Sequence, residues 1–541
     1  MITGPRADWD KDVDVLVVGS GGAAMTAATL AHDGGAEVLL IEKAEIFGGT
    51  TGISGGVMWI PRNHHMGSAG IDDDRDDALA YIRHLAAGRP YDDRQIEAWV
   101  DAAPEAIRYL EEHTPVEMQT VPGFPDYYHP FGIPGARHGG RSIEPVPYDA
   151  PGELGEWKDR LTSRIADPNL GGVTTLAEDM SGQSLSMPDE ISRREAADLR
   201  SKGAALIGRL FRGLLDRRVE ALASTPAREL VVADGEVVGV RAEREGRDYF
   251  IRARRGVILA CGGFEWNQEL IRAFIGYDLL PLSPRDNTGD GLVMSMEAGA
   301  LLGNMNSYWG QPAMIDPAIT RDGRPVPQFE SARGEPGTLI VNGRGERFAN
   351  ESLPYNDFPK AFGAFDASGI GFPNQAPAWQ VFDQGIKERF TIAGVAPEDE
   401  PPSWMPRAED FSDLARQMGV DRDRFEATMK RFNEHSARNE DPDFGRTEAG
   451  IMAPGRVRPL DQPPFYAVQI HPGTLGTNGG PQIDPFGRVR SASGNVIPGL
   501  YAAGNTAANT FAWAYPSGGG TIGNGVVFGY LAGRHAATRT D

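Results

Sequence analysis

Residues 12–43, DVDVLVVGSGGAAMTAATLAHDGGAEVLLIEK, constrain the fold more than any other stretch of the 541-residue chain. VDVLVVG predicts a buried parallel strand, and the Ala-rich segment beyond the glycines predicts a helix. AEVLLIE predicts a second strand that ends at Glu42. Gly19, Gly21 and Ala24 form the pattern GxGxxA, with Gly22 beside them. Strand, glycine turn, helix, strand and terminal acid in this order form a βαβ unit for a dinucleotide. Gly19 allows the tight turn, and Gly21 lets backbone approach a pyrophosphate at the helix N-terminus. Ala24 is small enough for close helix–strand packing. Glu42 stands where a carboxylate accepts from a ribose, and Ala23 and Lys43 complete the expected contact set.

Four more glycine-rich pieces follow, the first soon after Glu42 and the others far away in sequence. FGGTTGISGGVMW (47–59) offers Gly49, Thr50, Thr51, Ser54, Gly55 and Gly56 as a loop able to wrap a long cofactor. Residues 229–264 alternate around ADGE as a small antiparallel meander and end in a buried strand at Gly262 and Gly263. NTGDG (287–291) adds a close-backbone turn with Asp290. Near the end, a strand runs into Gly504 and Asn505, and a helix opens at Gly520 with Ile522 on its first turn. These pieces resemble flavoproteins with two dinucleotide-binding segments, in which the FAD site closes when the C-terminus returns. The expected fold is therefore α/β, a Rossmann-like two-dinucleotide-binding-domain FAD fold with an inserted α+β substrate (catalytic) domain. The FAD-binding domain is expected at 1–305 and 476–541, and the inserted domain at 306–475, which is Pro- and aromatic-rich.

Bulk properties remove other classes. Hydrophobic content of 40% and charged content of 24% suit a globular protein, and the net charge of -22 lacks a basic stripe for nucleic acid. No apolar run reaches the ~18 residues of a membrane span. The N-terminus has no signal-peptide pattern, so a cytoplasmic protein is expected. The single cysteine, Cys261, reads as a small core residue. His64 and His65 in RNHHMG read as solvated loop residues with no acid partner at ligand spacing, so no metal site is expected. The polar segment 170–200 reads as a mobile loop or a cover over the site.

Beyond FAD binding, four motifs carry a more specific resemblance: FPDYY (124–128), GERFANESLPY (345–355), FYAVQIHPGTLGTNGG (465–480) and YPSGGGTIG (515–523). Across nearly its full length the chain resembles the 3-ketosteroid Δ1-dehydrogenase-like flavoproteins of the fumarate reductase/succinate dehydrogenase superfamily. Three departures from other branches bear on function. The GGTTGISGG loop lacks the histidine that attaches FAD covalently elsewhere, which implies non-covalent FAD. Leu475, Gly476 and Thr477 stand where fumarate reductases carry His-His-Thr. Leu353, Pro354 and Tyr355 stand where those enzymes place a proton-donating arginine. The resemblance thus implies a neutral ketone as substrate.

The resemblance also implies roles. Tyr355 matches the general base, and Tyr127 matches the partner that hydrogen-bonds to it. Tyr515 and the backbone N–H of Gly519 match the pair that grips the ketone oxygen, with Tyr128 a structural neighbour. Each tyrosine taken alone also reads as a half-buried aromatic wedge. The helix opening at Gly520 would point its N-terminus at the flavin pyrimidine. The implied activity is FAD-dependent desaturation next to the ketone of a cyclic substrate, foremost the 1,2-bond of a 3-ketosteroid, with an unidentified electron acceptor. Ser517 also fits a Δ4-(5α)-steroid pattern, and a cyclohexanone-type substrate stays open. So do a fumarate reductase-like reduction of an activated double bond and a binding protein with a degenerate site.

Overall fold

The computed structural model describes all residues except 5, 7, 163–171, 322–323, 449–455 and 541. The chain divides into two units. Unit 1 comprises Met1–Leu270, Ser283–Tyr308 and Gly476–Asp541; unit 2 comprises Ile271–Leu282 and Trp309–Leu475.

Unit 1 is built on a nine-stranded sheet. Strand β1 (Lys11–Val18) lies at its centre, parallel to β2 (Val38–Ile41) on one side and to the second half of Arg247–Leu259 on the other. Val15 pairs with Val38 and Ile258 with Val17. Val15, Leu16, Val17, Leu39, Leu40 and Ile41 are fully buried, as a parallel sheet covered on both faces requires. Helix α1 (Gly22–Asp33) connects β1 to β2. The first half of Arg247–Leu259 turns antiparallel, pairs with Glu236–Arg244, and so forms the expected meander. Val496–Ala502 adds a parallel strand at Val257–Leu259, which returns the C-terminal segment to the centre of the sheet.

The last helix, α3 (Gly520–Thr538), lies against α1. A side chain at Gly529 would fall 2.3 Å from the Ala23 carbonyl, and one at Gly533 2.3 Å from that of Ala27. Spacing of four residues places both glycines on one face, so the two backbones come into direct contact. Helix α2 (Asp93–His113) is amphipathic and buries Trp99, Ile107 and Leu110.

Unit 2 carries a seven-stranded sheet, with Phe465–Thr477 and Ala378–Asp383 central and antiparallel. The helices Phe411–Met418 and Arg422–Ser436, each N-capped by an aspartate, bury Leu414, Phe425, Met429 and Phe432 against Leu339, Val341 and Val381. Sequence places residues 271–282 in the FAD-binding domain, whereas the structure counts them with unit 2. Leu280–Pro281 forms a parallel strand on Gly473–Thr474, a pairing across almost 200 residues that no local pattern announces.

Two other expectations change. Of the segment read as a loop or cover, residues 170–171 lie outside the described residues, and the remainder is folded. It forms helices at Leu176–Met180 and Pro188–Ala196. Thr175 and Glu178 make a reciprocal capping box, the Glu144 carboxylate accepts from the Leu176 and Ala177 N–H groups, and Lys202 pairs with Asp179. The second change concerns His64 and His65, which follow strand β3 (Met58–Trp59). Their expected lack of an acid partner is corrected, because Glu111 on α2 lies 2.9 Å and 3.0 Å from their Nε2 atoms. A separation of 46 residues hides this from sequence spacing. Among the described residues, no helix is long and apolar enough to cross a membrane.

Candidate active site

The β1–α1 turn has the form a dinucleotide needs. Gly19 has φ +108°, and a side chain there would fall 2.2 Å from the Ala260 carbonyl oxygen, so only glycine fits. Gly21, the N-cap of α1, has no side chain to cap the helix. The Gly22 N–H donates to Thr51 Oγ1 at 3.1 Å. Glu42 is held by Ser20 Oγ at 2.6 Å and the Ala44 N–H at 2.9 Å. Burial nevertheless pushes its carboxyl above the usual range.

The remaining glycine loops converge on this turn from three parts of the chain. Thr506 Oγ1 donates to the Gly262 carbonyl, and the Gly289 N–H donates to that of Gly263. Asn287 donates to Thr50 Oγ1 at 2.8 Å and to the buried Glu265 at 2.7 Å. Lys43 reaches Asp290 at 2.9 Å and Thr288 at 2.7 Å, so this expected contact pair is engaged with itself. A side chain at Gly504 would sit 3.2 Å from Ala23 Cβ. Gly49 opens a short helix, Gly49–Ile53, near Gly21. Ser54 and Gly56 close the following turn against Lys202 and Gly203, with Gly55 between them. Asn505 stands in the short turn Gly504–Thr506, and Ile522 is half-buried on the first turn of α3.

The second cluster joins FPDYY to YPSGG. The rings of Tyr127 and Tyr515 are both buried, with centroids 5.9 Å apart. Their loops are laced together by neutral hydrogen bonds. The Tyr127 N–H and the Tyr81 hydroxyl both donate to the Pro516 carbonyl, at 3.0 Å and 2.6 Å. Ser517 Oγ donates to the Pro125 carbonyl at 2.7 Å. Tyr515 Oη accepts from Thr521 Oγ1 at 3.2 Å and from its N–H at 3.4 Å, which polarises the phenol as a donor.

Gly519 is the N-cap of α3, at φ +94°, and a side chain there would fall 2.6 Å from the Val57 carbonyl. Its own carbonyl accepts from the Trp59 N–H at 3.1 Å. Ser142 Oγ donates to the Gly518 carbonyl at 3.0 Å. In a planar trans peptide the C=O and the following N–H point in opposite directions. By fixing the Gly518 carbonyl, Ser142 therefore fixes the aim of the Gly519 N–H. One residue before Tyr127, the fully buried Asp126 accepts from Trp59 Nε1 and Arg141, both at 2.7 Å.

Similarity to known proteins matches this geometry. The family model described as an FAD binding domain covers residues 14–522. The 3-oxosteroid 1-dehydrogenase of Mycobacterium tuberculosis (strain ATCC 25618 / H37Rv) is 36% identical over 97% of this chain and 98% of its own. A 4-oxocyclohexanecarboxylate 2-dehydrogenase of Sinomonas cyclohexanicum is 35% identical over 98% of this chain and 93% of its own. A crystal structure of 3-ketosteroid Δ1-dehydrogenase from Sterolibacterium denitrificans, in complex with 1,4-androstadiene-3,17-dione, has a TM-score of 0.86 at 30% identity, covering 97% of this chain and 99% of that one. The chain belongs to the FAD-binding flavoprotein family of the 3-oxosteroid 1-dehydrogenases.

The flavoprotein is thus an FAD-dependent oxidoreductase, and its own residues fit the cofactor. The N-caps of α1 and α3 are glycines, so neither cap residue supplies a side-chain acceptor to its helix start. Asn524 Oδ1 and Thr510 Oγ1 are buried with no hydrogen-bond partner among the described residues. Polar atoms left so cost about 1–3 kcal/mol each, and a polar ligand relieves that cost. Cys261 donates weakly to the Val18 carbonyl and its thiol is pushed well up by desolvation, yet it is half-buried, which corrects its reading as a core residue.

Tyr355 belongs to unit 2 and is half-buried. Its loop is pinned by the fully buried Arg333, which donates to the Leu353 carbonyl at 2.9 Å and also to that of Glu351. The Glu351 carboxylate takes two bonds from Arg347, at 2.9 Å and 2.7 Å, and one from the Ile340 N–H. Sequence reasoning missed Ser20, Asn287, Asp126, Ser142, Thr521 and Arg333. Ser20, Asp126, Asn287 and Thr521 lay inside stretches already singled out for chemistry, whereas Ser142 and Arg333 lay outside them.

Proposed function

We propose that the flavoprotein desaturates a cyclic ketone, introducing a carbon–carbon double bond next to the carbonyl, with the 1,2-bond of a 3-ketosteroid as the foremost target. The observation that carries this reading is the pairing of the polarised Tyr515 phenol with the aimed Gly519 N–H in one buried cluster. Two such donors suit a neutral carbonyl oxygen that gains negative charge during reaction. The names of the relatives support the same class of substrate.

Bound FAD supplies the hydride acceptor for the β-carbon. The residues of this chain manage the proton and the charge. Tyr515 and Gly519 hold the ketone oxygen and stabilise the enolate that forms as the α-proton leaves. Tyr355 takes that proton, and Tyr127 favours its phenolate. An unassisted tyrosine titrates near ~10, so a base at neutral pH needs such help. FAD is held non-covalently, since the Gly49–Gly56 loop contains no histidine. A cytoplasmic location suits one cysteine in 541 residues.

A smaller ring ketone is the second reading, favoured by the 35% identity to a 4-oxocyclohexanecarboxylate dehydrogenase. Anaerobic mixing of the holoprotein with 3-ketosteroids, with 4-oxocyclohexanecarboxylate and with the matching alcohols separates the two. Bleaching of the flavin by a 3-ketosteroid and not by its 3-hydroxy counterpart is expected. Bleaching by 4-oxocyclohexanecarboxylate alone selects the second reading. No bleaching by any ketone, with fast reoxidation of reduced flavin by fumarate, overturns both.

A further inference from the structure

The loop leaving β3 carries two consecutive histidines with no place in the flavin site. Nε2 of His64 and Nε2 of His65 lie 2.9 Å and 3.0 Å from one atom, Oε2 of Glu111. The three atoms fall within 4.8 Å of one another. The two rings stand 4.2 Å apart at a tilt of 35°, so their nitrogens converge on the carboxylate. We propose that His64, His65 and Glu111 form a binding site for one divalent transition-metal ion of the zinc type.

The donor set and the spacing both point this way. Two imidazoles and one carboxylate suit zinc, nickel or copper, whereas calcium and magnesium prefer oxygen alone. Zinc binds such ligands at about 2.0–2.2 Å in a tetrahedron, whose corners then lie about 3.4 Å apart. The two histidine–carboxylate separations need open by only a few tenths of an ångström, and the three ligand atoms already lie within 4.8 Å of one another.

The ligands are also preset. Glu111 Oε1 accepts from the Met118 N–H at 2.9 Å and lies 3.1 Å from His65 Nε2, so the carboxylate is fixed with both oxygens facing the histidines. The His65 N–H donates to Asn63 Oδ1 at 3.1 Å, and the Asn63 amide donates to the carbonyls of Ile60 and Gly140. Three protein ligands leave a fourth position for water, and His64 is solvent-exposed.

The ion would tie the last turn of α2 to the loop after β3. Strand β3 supplies the Trp59 N–H that holds the Gly519 carbonyl. The site is therefore a staple on the scaffold and takes no part in the flavin chemistry.

The test uses tag-free holoprotein stripped with chelator. Zinc is titrated by calorimetry, and cobalt is followed by its d–d absorption to the red of the flavin band. One ion per chain, a tetrahedral cobalt spectrum and a higher melting temperature with zinc are expected. His64→Ala, His65→Gln and Glu111→Gln should each weaken zinc about tenfold or more, since even outer partners of ligands cost that much. All three should keep FAD and ketone-dependent bleaching. His64 is exposed, so its replacement leaves the fold intact. Absence of saturable one-to-one binding, or unchanged zinc affinity in His64→Ala, overturns the proposal.

Discussion

The 515–519 stretch of unit 1 and the Tyr355 loop of unit 2 are both irregular backbone held rigid, but by different physics. The former is fixed by neutral hydrogen bonds from Tyr127, Tyr81, Ser142 and Trp59. The latter is fixed by buried ions: Arg333 on its carbonyls, and Arg347 and Asp441 around Glu351. Neutral donors interact weakly with a neutral ketone and strongly with an enolate, so they act where it matters for rate. A fixed cation beside the ketone would hold an anionic ligand tightly before any chemistry began. Buried ions are better suited to anchoring a base from behind, through charge-assisted bonds of high directionality. If this contrast is right, changes in the first region alter rate, and changes to the ions of the second alter stability.

The largest effect is expected at the phenol that the ionic loop carries. Tyr355→Phe should keep FAD and fold normally, yet slow ketone-dependent flavin reduction by about 10²- to 10⁴-fold, the range of a lost general base. Stopped-flow bleaching checks this. Reduction at the wild-type rate would leave Tyr355 as a packing residue and dissolve the comparison. Tyr127→Phe should slow the reaction less and shift its pH–rate profile upward.

Next in size is the neutral clamp. Tyr515→Phe removes one of the two proposed carbonyl donors, an expected loss of about 3 kcal/mol or roughly 10²- to 10³-fold in rate. The melting temperature should hardly move, because the Thr521 hydroxyl can turn to another acceptor and its N–H bond to Tyr515 Oη is long at 3.4 Å. A variant that melts early but turns over normally would show the hydroxyl to be structural.

How much of this was legible in sequence depends on how local each interaction is. Gly19, Gly21, Ala24 and Glu42 could be read because strand, turn, helix and acid fall within about thirty residues and each step restricts the next. The nested glycines at 518–520 were visible too, through the resemblance of their motif. Ser142 was not, since it lies 376 residues from the carbonyl it holds. Nor was Arg333, whose bonds to the Tyr355 loop go to two backbone carbonyls that leave no trace in side-chain patterning. Thr521 is six residues from Tyr515, yet its bond depends on the left-handed turn at Gly519 between them.

The ionic anchor should reveal itself in stability. Burial alone pushes Glu351 up, but Arg347 outweighs it and holds the carboxyl below its ordinary range. A depressed carboxyl adds stability in full above its unfolded value, and that stability is lost as pH falls through the folded value. Glu351→Gln should therefore lower stability by about 3–5 kcal/mol near neutrality, the cost of leaving a buried guanidinium short of its partner. It should also flatten the acid limb of a plot of melting temperature against pH. Acid dependence identical to wild type would remove Glu351 from the account.

The smallest effect is the most discriminating, because it concerns aim and not contact. Ser142 touches no substrate in the proposed mechanism; it holds the Gly518 carbonyl so that the next N–H points the opposite way. Ser142→Ala removes one neutral hydrogen bond, worth about 1 kcal/mol. If the peptide then rocks, the Gly519 donor is misaligned, and flavin reduction should slow about fivefold with ketone affinity little changed. In a Ser142→Ala/Tyr515→Phe double variant the two losses should not add, since both act on one carbonyl oxygen. Additive losses would mean that Ser142 acts elsewhere. A fall in stability with no change in rate would mean that the Gly519 N–H keeps its aim without the Ser142 bond.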